Sequence, residues 1–103
     1  MIGRERLINR RASITIEFQH DNIDYTAGFS RFADGRLAEV FLNGGKLDSQ
    51  ADVLARDSAI AASLALQSGC AADDLRAALT RTAAGGPAGA LSVALDRIAE
   101  IPA

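Results

Sequence analysis

The sequence predicts an α+β domain: a three-stranded antiparallel meander packed against one long and two shorter helices. Two observations carry this reading. Apolar and polar residues alternate through three consecutive runs joined by tight turns, and helical spacing takes over after Ser49. A third excludes the main rival, because strand and helix patterns do not interleave as they would in βαβ units.

The first run begins at Ser13, with Ile14, Ile16 and Phe18 on one side and Thr15, Glu17 and Gln19 on the other. That alternation describes a half-buried strand. His20-Asp21-Asn22 supplies turn chemistry, and the second run alternates through Ile23, Tyr25, Ala27 and Phe29. Asp34-Gly35 then suits a type I′ hairpin, whose two central residues need positive φ. Residues 37–42 form the third strand.

The long helix is expected over residues 49–68. Ser49-Gln50-Ala51-Asp52 fits a capping pattern in which the hydroxyl accepts a backbone N–H and the acid sits at the positive helix end. Gly69 suits the left-handed position just past the C-terminus. Ala59, Ala61, Ala62, Ser63 and Ala65 make the helix slim, so a sheet or a second helix can approach closely. Asp73 and Asp74 open a shorter helix in which Leu75, Ala78 and Leu79 share a face. After the breaker Gly85-Gly86-Pro87, Leu91, Ala94, Leu95 and Ile98 mark a last helix at i, i+3, i+4 and i+7.

The chain of 103 residues reads as a single domain over 13–103, preceded by a basic arm over 1–12 that holds Arg4, Arg6, Arg10 and Arg11. No aromatic residues interleave with those arginines, so nucleic acid is not the expected partner. Cys70 is the only cysteine, which excludes an internal disulfide. With no apolar leader and no run approaching a membrane span, a cytoplasmic protein that does not enter membranes is expected. A three-stranded sheet leaves edges and a second face unprotected, so a homo-oligomer, most simply a homodimer, is expected.

Two stretches are candidates for function. Asn43-Gly44-Gly45-Lys46 joins the third strand to the long helix, as a phosphate cradle would. A P-loop, however, needs Gly-Lys-Ser/Thr after a spaced glycine, and here Leu47 and Asp48 follow the lysine on an antiparallel strand. The corner therefore reads mainly as structural. A weaker anion site at Gly44, Gly45, Lys46 and the Ser49 helix start stays open. Asp57 falls on one helical face with Val53, Ile60 and Leu64, so it is expected in a buried polar network, with Gln67 nearby. An arginine such as Arg31 or Arg36 is the expected partner; the rival role is a general base, with His20. Cys70 follows a helix C-terminus, which does not favour a thiolate. No metal-ligand cluster is seen and no cofactor is expected.

Several of these segments together resemble one family. Asp34-Gly35, Glu39-Val40-Phe41, Gly45-Lys46, and Ser63-Leu64-Ala65-Leu66-Gln67-Ser68-Gly69 look like the TSCPD-type domain, over roughly residues 13 to 100. That domain is found near the C-terminus of adenosylcobalamin-dependent (class II) ribonucleotide reductases and as small free-standing bacterial proteins. The resemblance implies a non-catalytic accessory or interaction module with a protein partner in nucleotide metabolism. The alternative is a small nucleotide- or anion-binding protein using the Gly-Gly-Lys corner. Cysteine-rich members carry several cysteines where this chain has Cys70, so metal binding through them does not carry over. Nor does reductase chemistry, which needs a thiyl-forming cysteine and a redox pair.

Overall fold

The computed structural model describes Gly3 and residues 13–103, so the basic arm expected over 1–12 lies, Gly3 apart, outside the described residues. The strands are β1 (Ile14–His20), β2 (Ile23–Arg31) and β3 (Leu37–Gly44); the helices are α1 (Gln50–Gln67), α2 (Ala72–Ala78) and α3 (Ala90–Ala99). The strands form one antiparallel sheet in the order β1-β2-β3. The meander and its three helices are the α+β arrangement that the sequence predicts.

Register follows from the alternation. Phe18 pairs with Tyr25, Ala27 with Leu42, and Phe29 with Val40. Directly opposed residues share a face of the sheet, and all six are buried. The Phe18 and Tyr25 rings stack with centroids 5.5 Å apart. On the other face Thr15, Glu17, Gln19, Asp24 and Asn43 are exposed. Phe41 stands exposed among them.

The type I′ turn expected at Asp34-Gly35 occurs at the other hairpin. Asp21 and Asn22 both take positive φ, 54° and 64°, so the type I′ geometry lies between β1 and β2. At Asp34-Gly35 the expectation is corrected: among residues 31–36 only Gly35 has positive φ, 94°. There the Gly35 N–H donates to the Phe32 carbonyl (2.9 Å) and the Phe32 N–H to the Arg36 carbonyl (2.8 Å). The ladder also slips at Ser30/Arg31. The connection is thus a longer loop closed by a glycine bulge, which needs left-handed backbone at one position instead of two.

Helix α1 starts and stops as its ends predict. The Ser49 hydroxyl accepts the Asp52 N–H (3.3 Å). Past Gln67, Gly69 takes φ 103°, while the Cys70 N–H reaches back to the Ala65 carbonyl (3.0 Å) and the Gly69 N–H to that of Leu66 (3.3 Å). These are the paired bonds of a Schellman ending.

The placement of α1 has a specific cause. An outer strand presents unpaired backbone groups, and α1 answers those of β3 with side chains. The Val40 N–H donates to Ser63 Oγ, and the same hydroxyl donates to the Val40 carbonyl, both at 2.9 Å. The Gln67 amide donates to the Ala38 carbonyl (3.0 Å), and the Gly44 N–H donates to Asp52 Oδ1 (3.2 Å). One edge of the sheet is therefore closed by its own helix. Ala55, Ala59 and Ala62, all buried, let the helix come that close. Ala94, Leu95 and Ile98 of α3 complete the core beneath β1 and β2, with Leu75 and Leu79 packed at its margin.

Candidate functional site

The corner between β3 and α1 is built around a carboxylate of the chain itself. Asp52, only 3% exposed, accepts the Gly44 N–H (3.2 Å) and the Asp48 N–H (3.1 Å), with Arg56 Nη1 3.4 Å from its Oδ2. The Asp48 N–H, then the Gly44 N–H and the Arg56 guanidinium, hold its carboxyl below the ordinary carboxylate value against the opposing pull of desolvation. The Gly45 N–H donates to the Asp24 carbonyl (3.1 Å) and the Ser49 N–H to that of Lys46 (3.0 Å). Four backbone donors that could face an anion, at Gly44, Gly45, Asp48 and Ser49, are thus engaged within the chain, and Lys46 is exposed. The glycines have packing reasons as well. A Cβ at Gly44 would collide with the Tyr25 ring, and Gly45 takes φ 68°.

Asp57 is not where its apolar neighbours suggest, and the expectation of a buried network around it is corrected. It is exposed on α1, and the stripe that includes it faces outward: Val53 is 40%, Ile60 59% and Leu64 44% exposed. The buried face of α1 is instead Asp52, Ala55, Ala59, Ala62 and Leu66. The buried acid is therefore Asp52, whose signal in the sequence is its place three residues after the cap. Gln67 is buried and hydrogen-bonded, as anticipated, but to Ala38 and apart from Asp57. Arg31, offered as a partner for Asp57, donates instead to the Gly35 carbonyl (3.1 Å) and the Ile101 carbonyl (2.8 Å). Arg36 pairs with Asp34 at 2.7 Å.

His20 and Asp57 do not share a cleft. His20 Nε2 lies 3.2 Å from the Ala88 carbonyl, at the rim of a groove of about 520 Å³ between the β1–β2 turn, α1 and the start of α3. Asp57 does not line that groove. Cys70 is half-buried. It borders a second cavity of about 470 Å³, near Arg31, Arg76 and the chain's last residues.

One polar cluster gave no sign in the sequence. Asp96 of α3 accepts two bonds from Arg81 (both 2.9 Å) and one from Arg76 Nε of α2 (3.1 Å). Arg81 first, then Arg76, hold the Asp96 carboxyl below its ordinary value. The cluster fastens α2 and the α2–α3 loop to α3, and each of its three side chains is already engaged. Among the described residues no group of three or more His, Cys, Asp or Glu could hold a metal ion. No helix there is long and apolar enough to cross a membrane.

A row of large apolar side chains on α1 interrupted by one acid is a surface that another macromolecule can cover. A family model for the TSCPD domain matches residues 4–101. Among curated proteins and among solved structures none matches.

Proposed function

The chain belongs to the TSCPD-domain family, and from that premise we propose that it is a non-catalytic interaction module that serves a ribonucleotide reductase. TSCPD domains are associated with ribonucleotide reductase-related proteins. The observation that carries it is the outward stripe of Val53, Ile60 and Leu64 on α1. Large apolar residues repeated along one helix face are hard to account for by folding when the opposite face already meets the core.

The alternative, anion binding at Gly44, Gly45, Lys46 and Ser49, has less support, since the N–H groups of Gly44, Gly45 and Ser49 already donate to Asp52, the Asp24 carbonyl and the Lys46 carbonyl. Catalysis by Asp57 with His20 lacks a common cleft. A homodimer through β3 would have to displace α1, so self-association would use the β1 edge or the other sheet face, around Phe41.

The test is direct binding to the catalytic chain of an adenosylcobalamin-dependent reductase from the same source, measured by biolayer interferometry. Wild type should bind, and Ile60→Lys should weaken binding by roughly tenfold or more, as for a buried interface anchor. No measurable binding by the wild type would sink the reading.

A further inference from the structure

The same helix face says what kind of partner segment fits it. Asp57 lies between Val53 and Ile60 in the stripe, and among the described residues it has no hydrogen bond or ion pair. We propose that this face receives an amphipathic helix of a different protein, one that places a single Lys or Arg among apolar residues and sets it against Asp57. The proposal rests on the interaction reading above and adds the partner's chemistry to it.

A partner that covers Val53, Ile60 and Leu64 must also take Asp57 out of water, and an unpaired carboxylate resists that. A cation from the partner is the complement that relieves it. The neighbouring Arg56 does not fill that place, since its Nη1 is turned to Asp48 and Asp52, 3.4 Å from each. Phosphate-rich surfaces, whether nucleic acid or anionic lipid, carry the wrong sign.

A second copy of the chain fits poorly for a geometric reason. The stripe 53-57-60-64 has its midpoint between Asp57 and Ile60. In an antiparallel pairing of two α1 helices centred on the stripe, the two Asp57 positions differ by three residues, about 4.5 Å along the axis. In a parallel pairing they stand directly opposed. Either way two carboxylates are buried together with no cation between them, and like charges there are destabilising.

Two synthetic helical peptides serve as the probe. Both carry leucines at i, i+3 and i+7, and they differ only in a Lys or a Glu between those leucines. Fluorescence anisotropy measures each against the full chain as wild type, Asp57→Lys and Ile60→Lys, with circular dichroism confirming that each variant is folded. Wild type should bind the Lys peptide at least roughly tenfold more tightly than the Glu peptide, Asp57→Lys should reverse that preference, and Ile60→Lys should weaken both. No binding, equal binding of the two peptides, or a wild-type dimer that Ile60→Lys dissociates in light scattering would overturn the proposal. If the peptides bind equally while the reductase still binds through Ile60, the interaction reading survives and the cation requirement falls.

Discussion

The two long faces of α1 are both apolar, and they are apolar in different ways. The face toward β3 is made of alanines, with Asp52, Ser63 and Gln67 at intervals, and it is buried. The outward face has Val53, Ile60 and Leu64, residues of much larger apolar area, and it is exposed. Size therefore points the wrong way here. A helix that lies beside a strand edge must come close enough to hydrogen-bond its backbone, so small residues and short polar arms mark the buried side. The larger residues go where distance is not limiting, and in the isolated chain that place is the surface.

Substitutions of similar chemistry should therefore have opposite consequences on the two faces. The largest effect on folding should come from Ala59→Leu, which inserts three carbons between α1 and β3. Overpacking of this kind costs roughly 1–3 kcal/mol, and urea denaturation should show a matching fall in stability. A midpoint equal to that of wild type would mean that α1 does not depend on close approach.

Ser63→Ala should follow, at about 2 kcal/mol in the same assay. It leaves the Val40 N–H and carbonyl without the partner that now serves both. Ser63→Thr keeps the hydroxyl and should recover part of the loss.

The next test concerns pH. Asp52 has a folded-state carboxyl held below its ordinary value of 3.8. It therefore contributes stability that is present above that value and lost as pH falls below it toward the folded-state value. Denaturation midpoints of wild type should drop through this acid range. Asp52→Asn should be less stable at neutral pH and flatter in acid, although Asp96 keeps a similar dependence. An identical acid profile in the variant would show that the carboxylate is not held as described.

The smallest effect on folding belongs to the outward face. Ile60→Ser should stay within about 0.5 kcal/mol of wild type, even though Ile60→Lys is the variant expected to cost most in binding. A large loss of stability from Ile60→Ser would break the comparison, because the stripe would then belong to the fold.

Much of the architecture was legible because its causes are local. Alternation at Ile14, Ile16 and Phe18 declares a strand wherever its partner lies. The Ser49 cap and the Gly69 stop are short-range hydrogen-bond and φ requirements, and both are met. The site was less legible. Asp52 and Asp57 are five residues apart on one helix, and which of them is buried depends on the direction from which β3 arrives. The Asp96 cluster joins residues 15 and 20 positions apart, a separation that no local pattern encodes. Asp-Gly favours a type I′ turn, and local sequence alone points to Asp34-Gly35 for it. Asp21-Asn22 adopts it instead, since Asn and Asp also tolerate left-handed backbone and a bulge lengthens the other loop.

By itself, then, the sequence determined the order and type of the elements, the ends of α1, the family, and the presence of an apolar stripe with an acid in it. Those features rest on backbone preferences and side-chain periodicity, which each segment carries with it. Only the tertiary structure decided which side of α1 is the inside. That choice depends on the unpaired backbone of β3, whose need for nearby hydrogen-bond partners outweighs the larger apolar area of Val53, Ile60 and Leu64.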